Sequence, residues 1–126
     1  VLSSIPDGDG GWFIGGDFTA VGGEARNRLA HIDASGQITA WNPDLNGRVK
    51  TLFLSGDTLY VGGDFTVING QERFRLASFD VVSGNLTSWN PRANKTPLAI
   101  LEKDGTVYIG GIFEHMGAFA PYGAPI

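Results

Sequence analysis

The sequence contains no cysteine, which excludes disulfide frameworks, thiol catalysis and thiolate metal sites. Its two histidines, His31 and His115, lie far apart and form no local zinc motif. No apolar run approaches the ~18 residues that a membrane-spanning helix needs. Charged residues make up 17% of the chain, and the formal net charge of −4 argues against nucleic acid or an anionic membrane as the main partner. These absences remove most enzyme classes.

Apolar residues and glycine dominate what is present. The chain has 126 residues, of which 42% are apolar, so it can bury the core of one small domain. Its 19 glycines are about twice the usual proportion, which indicates many tight turns.

An internal repeat is the strongest feature of the sequence. The segment Ile14–Thr19 returns 47 residues later as Val61–Thr66 and, in a weaker form, at Ile109–Glu114. With Val82 as a single insertion, Gly15–Pro43 and Gly62–Pro91 are identical at 17 of 29 aligned positions. The chain is therefore a tandem array with a period of 47–48 residues.

Each period predicts four short strands separated by turn residues. In the second repeat these strands are Val49–Leu54, Thr58–Val61, Arg75–Val81 and Leu86–Trp89. No segment shows a sustained 3.6-residue periodicity, so no helix is expected. Four antiparallel strands per repeat of this length are typical of a β-propeller blade, and the predicted fold class is all-β.

The phase of the repeat predicts two full blades, residues 1–48 and 49–96, and an incomplete third blade at 97–126. A propeller closes with about four to eight blades. We therefore expect the remaining blades to come from a longer chain, of which this is a fragment, or from homo-oligomerisation.

Residues that recur between repeats are interpreted as structural. The Gly-Gly doublets end a strand, where close approach of another backbone requires a residue without a Cβ atom. Trp41 and Trp89 are expected to pack one blade on the next, and the alternative is that they form a platform on which a sugar stacks.

Two acidic residues precede paired arginines at the same spacing: Asp17 before Arg26 and Arg28, and Asp64 before Arg73 and Arg75. The third repeat has Ile112, Pro121 and Gly123 at these positions, so the acid and both arginines are lost together. This concerted loss predicts that they pair through charge-assisted hydrogen bonds. Calcium binding is the alternative, although one carboxylate per blade is far fewer than the 6–8 oxygens that calcium requires.

Catalytic, metal and cofactor sites are not expected. The glycine-rich segment Asp7–Gly11 superficially resembles a calcium loop, but it lacks the closing glutamate. His31 and His115 have no recognisable acidic partner in the sequence, and no serine lies in a nucleophile motif. We expect an inert role for both histidines.

Three propeller families share part of this pattern. The stretch Leu76–Trp89 resembles the tryptophan-docking motif of quinoprotein dehydrogenases, but its Gly-to-Trp spacing is one residue longer, and kelch repeats share only the period and the Gly-Gly doublet. The pattern Gly-Gly-Asp-Phe-Thr, Arg-x-Arg-Leu-Ala, Trp-Asn-Pro is similar to delta-60 type β-propeller repeats, strongly over Ile14–Pro91 and moderately over Leu98–Phe113. That resemblance implies a bacterial extracellular or cell-surface β-propeller without enzymatic activity, and it assigns no functional residues.

The functional prediction is a non-catalytic scaffold that binds protein or polysaccharide through the loops between blades. The candidate binding residues are those that differ between matched loops, namely Asp44, Leu45, Arg92 and Lys95. A repeat lectin assembled from several short chains is the alternative, and an enzyme domain of the quinoprotein or galactose-oxidase kind is a third hypothesis.

Overall fold

A computed structural model describes residues 2–111 of the chain. The strands are β1 (Ser3–Pro6), β2 (Trp12–Gly15), β3 (Ala20–Val21), β4 (Glu24–Ala25), β5 (Leu29–Ile32), β6 (Val49–Ser55), β7 (Thr58–Gly63), β8 (Val67–Ile68), β9 (Gln71–Glu72), β10 (Leu76–Asp80), β11 (Pro97–Lys103) and β12 (Thr106–Gly111). All pairings between these strands are antiparallel. The predicted all-β fold class is confirmed.

Three sheets follow one another along the chain. The first sheet has the order β1-β2-β5, the second has the order β10-β7-β6, and the described part of the third is the hairpin β11-β12. In the first two repeats a two-stranded hairpin, β3-β4 or β8-β9, lies between the second and third strands of the sheet. Asn69-Gly70 forms the turn that joins β8 to β9, and the sequence analysis did not predict the short strands beside it.

The predicted fourth strand, Leu86–Trp89, is much reduced. It pairs with the sheet through one bridge between Phe79 and Leu86 and one hydrogen bond from the Thr87 N–H to the Ser78 carbonyl (2.9 Å). The Trp89 N–H then donates to the Thr87 side-chain oxygen (3.2 Å). This local bond competes with continued pairing, so the chain turns away from the sheet.

Buried apolar side chains form two cores, each shared between neighbouring sheets. The first core joins the first sheet to the second and contains Phe13, Leu29, Leu59 and Phe79 among its members. The second core joins the second sheet to the third and is built around Leu76, Ile100, Val107 and Ile109. We call these two contacts the first and second joints. Successive side chains along a strand point to opposite faces of the sheet, so one face packs on the preceding sheet and the other on the following sheet.

The Gly-Gly doublets permit close approach of these sheets. A Cβ atom on Gly15 would lie 2.4 Å from a methyl carbon of Val49 in the next sheet. A Cβ atom on Gly62 would lie 2.7 Å from the Pro97 ring of the third sheet, and one on Gly63 would clash with the carbonyl oxygen of Arg48, just before β6 of its own sheet. The packing therefore requires glycine at these positions, as the repeat pattern predicts.

Candidate functional site

Trp41 is the central side chain of the first joint. Its ring makes edge-type contacts with Phe13 of its own repeat (5.7 Å between centroids) and Phe79 of the next repeat (5.2 Å). Its indole N–H donates to the Gly84 carbonyl oxygen at 3.0 Å. Trp41 thus contacts both sheets, which is the arrangement expected of a residue that packs one blade on another. Two pockets adjoin it.

The first pocket, which we call the amide pocket, has a volume of about 410 Å³. It is lined by Trp41, Asn42, Pro43, Ile68, Asn69, Gln71, Phe79, Gly84, Asn85 and Leu86. The first three residues come from the first repeat and the others from the second, so the site exists only where two repeats meet. None of the ten lining residues is charged.

Turns position the carboxamides of the amide pocket. Asn69 has a positive φ of 47° in the turn before Gly70, and this turn places Gln71 at the start of β9. Asn85 follows Gly84, whose φ is 78°, and its carbonyl accepts the Asp80 N–H at 2.9 Å. Asn and Gly are the residues that adopt such left-handed conformations most readily.

The second pocket, the histidine pocket, has a volume of about 400 Å³. Its lining comprises Phe13, His31, Thr39, Ala40, Trp41, Val81, Val82, Ser83 and Gly84. The His31 ring stacks on Phe13 with 4.6 Å between centroids. The Thr39 hydroxyl is buried and has no hydrogen-bond partner among residues 2–111. This pocket is therefore more apolar, and its polar side chains are one imidazole and the hydroxyl groups of Thr39 and Ser83.

His31 has an acidic partner that sequence reasoning missed. Its Nε2 lies 2.7 Å from Asp7 Oδ2, while Asp7 Oδ1 accepts the backbone N–H groups of Asp9 (2.7 Å) and Gly11 (2.9 Å). The hydrogen bond from His31, aided by these two backbone donors, holds the pKa of Asp7 below its ordinary value despite the opposing effect of burial. The one available signal was the longer turn of the first repeat, which carries Asp7 toward β5.

The arginines of the repeat donate hydrogen bonds to carbonyl groups of the following loop, and we call these bonds straps. Arg26 Nη2 donates to the Thr39 carbonyl at 2.8 Å, and Arg73 Nη2 donates to the Thr87 carbonyl at 2.9 Å. These two bonds are equivalent under the repeat. They hold the segment before Trp41 or Trp89, the tryptophans that recur in the two repeats, against the preceding hairpin.

A second pair of straps follows the same rule. Arg28 Nη1 donates to the Leu45 carbonyl at 3.1 Å, and Arg75 Nη1 donates to the Ala93 carbonyl at 3.2 Å. Both arginines have left-handed backbone conformations, with φ of 72° and 68°. A positive φ is uncommon for a residue with a long side chain, so this conformation is a feature of the repeat itself.

The predicted acid–arginine pairing differs between the two repeats. Asp17 Oδ1 lies 3.6 Å from Arg28 Nε, and in this pair the carboxylate is exposed while the guanidinium is partly buried. Asp64, in contrast, pairs with Arg48 (2.7 Å) and Lys50 (3.7 Å) rather than with either predicted arginine, so that partner assignment is wrong. The physical reason is that Arg48 and Lys50, around the start of β6, bring two other cations to the Asp64 carboxylate.

Thr96 also donates a hydrogen bond to Asp64. Burial raises the pKa of Asp64, but the hydrogen bonds from Thr96 and Arg48, with the charge of Lys50, outweigh it and hold the pKa below its ordinary value. Asp64 thus ties the segment before β6 to the segment before β11.

One of the four candidate loop residues is not available for binding. Leu45 is fully buried in the first core and bridges Ile68, so its interpretation as a loop binding residue is wrong. The hydrogen bond from Arg28 to the Leu45 carbonyl holds this part of the loop against the sheet, with the Leu45 side chain in the core.

The other three loop candidates are exposed. Asp44 accepts a hydrogen bond from the Asn27 side chain (2.7 Å), and the Arg92 guanidinium lies 4.7 Å from the centre of the Phe74 ring. Lys95 is exposed in the loop before β11. No ligand contact distinguishes these residues, and they stay predictions.

Trp89 occupies the second joint, where its ring meets Tyr60 edge-on at 5.3 Å. The predictions for Ile112, His115, Pro121 and Gly123 lie outside the described residues.

Within residues 2–111, no three His, Asp or Glu side chains cluster closely enough to hold a metal ion. The same part of the chain has no helix with the length and apolar character needed to cross a membrane.

Comparison with known proteins finds one family. Residues 8–38 and 57–86 match the model of a β-propeller domain of unknown function, DUF5122. No curated protein and no solved structure matches the chain significantly. The two matched segments carry the Arg-x-Arg-Leu-Ala core of each repeat and most of the strands of the first two sheets. Two segments of the chain, one in each of the first two repeats, are therefore similar to the DUF5122 β-propeller domain.

Proposed function

We propose that this protein is a non-catalytic binding module of the cell surface or of the secreted fraction, which recognises protein or polysaccharide where two blades meet. The observation that carries the proposal is the pair of pockets beside Trp41. Their volumes of about 410 and 400 Å³ lie within the range of small-ligand sites, which is about 300–1,000 Å³.

The chemistry of these pockets favours binding over catalysis. The amide pocket offers carboxamides and apolar groups, which orient a ligand but do not act as acids, bases or nucleophiles at neutral pH. The histidine pocket contains His31, but the nitrogen nearest an acid is engaged by Asp7. Two sheets packed through a continuous core give both pockets a rigid frame.

A repeat lectin, in which several short chains complete one propeller, is the second candidate. It is favoured by the origin of the amide pocket, because residues of two consecutive repeats build it. In such an assembly, each joint built like the first one would hold one sugar site.

Ligand arrays test the proposed function. Labelled full-length protein is applied to arrays of neutral and acidic polysaccharides and of extracellular proteins, and bound ligands are then analysed by mass spectrometry after prolonged incubation. We expect saturable binding to at least one ligand, recovered chemically unchanged. Absence of saturable binding, or conversion of the ligand, would refute the proposal.

The proposed location rests on the similarity of the repeat to surface-anchored and secreted propellers. Labelling of intact cells with a membrane-impermeant reagent tests it. We expect the protein to be labelled to the same extent in intact and lysed cells, and protection in intact cells would contradict an extracellular location.

A further inference from the structure

We propose that the amide pocket binds a neutral pyranose unit of a polysaccharide. This inference deepens the proposed function and rests on it, because it assigns one of the two ligand classes to one of the two pockets. It draws on the charge, the hydrogen-bonding groups and the apolar surface of the pocket, and on the fact that two repeats build it.

The absence of charge in the lining decides between ligand classes. A phosphate, sulfate or carboxylate group is normally recognised by arginine, lysine or clustered N–H groups. The amide pocket has no charged residue in its lining. Desolvating an ionic ligand there would be costly without a counter-charge. A neutral ligand is therefore favoured over an anionic one.

The carboxamides of the pocket match the hydroxyl groups of a sugar. Each carboxamide carries two N–H donors and one acceptor oxygen, and each sugar hydroxyl both donates and accepts. Four of the lining residues, Asn42, Asn69, Gln71 and Asn85, carry carboxamide side chains. Within residues 2–111, no hydrogen bond to another protein group engages any of these four side chains. Asn46, outside the pocket, instead uses its carboxamide within the fold. The four pocket carboxamides therefore remain available to a ligand.

Apolar groups complete the complementarity. A pyranose has C–H groups on its faces, and aromatic and aliphatic surface commonly covers them in a binding site. Trp41, Pro43 and Leu86 supply such surface in the same lining. A purely apolar ligand would leave the carboxamides unsatisfied, and a small ion would not use the apolar groups.

The pocket is also pre-organised. The Trp41 indole N–H is fixed by its bond to the Gly84 carbonyl (3.0 Å), and Asn85 is the next residue. The turn that carries Asn69 is anchored by the bond from the Asn69 N–H to the Asp44 carbonyl (2.9 Å). Pre-organised groups lose less conformational entropy when a ligand binds.

Affinity electrophoresis tests this assignment in gels that contain dextran, mannan, galactan or xylan as neutral probes and polygalacturonate as an acidic probe. We compare full-length wild-type protein with Gln71→Ala and Asn85→Ala, which shorten exposed side chains in the pocket. Gln37→Ala is the matched control, because Gln37 is an exposed carboxamide in a turn outside both pockets. We expect retardation by at least one neutral probe, weakened about 3- to 10-fold by each pocket variant and unchanged by the control.

A second measurement does not depend on the variants. The neutral probe that retards the protein, as short oligomers, is titrated into ¹⁵N-labelled protein, and the side-chain NH₂ signals of Gln71 and Asn85 and the indole signal of Trp41 are followed by NMR. We expect these signals to shift together, and raising the salt concentration to leave the affinity unchanged.

The outcomes separate this inference from the proposed function. Binding to a protein or to polygalacturonate with affinity unchanged in both pocket variants would overturn the sugar assignment and leave the binding module in place. Neutral-glycan binding that leaves the Gln71, Asn85 and Trp41 signals unshifted would also overturn it. If the protein binds none of the polysaccharides and none of the proteins, both proposals fail.

Discussion

The first and second repeats hold their arginines alike but differ in the residues that they place at the joints. The bonds from Arg26 and Arg73 to the following loop measure 2.8 and 2.9 Å. At the centre of the third strand, however, the first repeat has His31, which bonds to Asp7, whereas the second has Ser78, which bonds to the Thr87 hydroxyl. Residues that recur thus maintain the backbone, and residues that vary define each local environment.

The second strand shows another difference between the repeats. Trp12 and Leu59 occupy the same repeat position, yet Trp12 is 46% exposed and Leu59 is fully buried. Leu59 lies in the first joint, and Val107, the equivalent residue of the third sheet, lies in the second. The same position is therefore a core residue wherever a preceding sheet covers it.

The largest predicted effect tests this difference in burial. Leu59→Ala should lower the free energy of unfolding by about 2–5 kcal/mol, because it removes buried methyl groups and leaves a cavity in the first core. Trp12→Ala should cost less than Leu59→Ala, since nearly half of the Trp12 side chain is already in water and its removal leaves no enclosed cavity. Urea denaturation of both variants measures the two costs.

Val82→Ala is the control for this pair, because Val82 is 77% exposed and should leave the stability nearly unchanged. Equal large costs for Leu59→Ala and Trp12→Ala would show that Trp12 is also covered in the folded protein, and would break the comparison.

The all-β fold was predictable because the repeat appears directly in the sequence. Gly-Gly doublets, turn residues and apolar runs locate β6, β7 and β10 of the second repeat to within two residues at each end. The reduced fourth strand was not predictable, since it depends on the Thr87 side chain bonding to its own backbone neighbour. Local competition of this kind leaves no clear trace in hydrophobic periodicity.

The candidate site was harder to predict from the sequence than the fold. Trp41 was identified as a joint residue, but Leu45 was misjudged, because a difference between two repeats does not reveal whether a side chain faces the solvent. Asp64 was given the wrong cation, since spacing within the repeat cannot show that Arg48 and Lys50, around the start of a neighbouring strand, lie beside it. The amide pocket combines residues from Trp41 to Leu86, and such long-range proximity requires the register of both sheets.

The second prediction concerns the feature that the repeats share. Arg26→Ala and Arg73→Ala should each lower the free energy of unfolding by about 1.5–3 kcal/mol, the typical contribution of a hydrogen bond from a charged group. The two costs should be similar, because the bonds are equivalent and both guanidinium groups are partly buried. Thermal and urea denaturation provide the measurement.

Arg92→Ala is the control for the straps. It removes an exposed contact with the Phe74 ring, which should contribute only about 0.5–1 kcal/mol. If either strap variant costs no more than this control, the straps do not stabilise the repeat, and the shared geometry has another cause.

The smallest predicted effect on stability converts the first repeat to the second at its most distinct position. His31→Ser removes the hydrogen bond that lowers the pKa of Asp7, so this pKa should rise toward its ordinary value of 3.8. Because a lowered carboxyl pKa stabilises the fold above the ordinary value and loses this contribution as the pH falls through the folded value, the variant should be less stable than wild type at neutral pH, by under about 1 kcal/mol. NMR titration of the Asp7 carboxyl carbon measures the shift directly.

Asp64 is the internal control, since its partners do not include His31 and its titration should be the same in both proteins. If Asp7 titrates at the same pH in both proteins, the turn N–H groups alone set its pKa, and His31 does not distinguish the two repeats electrostatically.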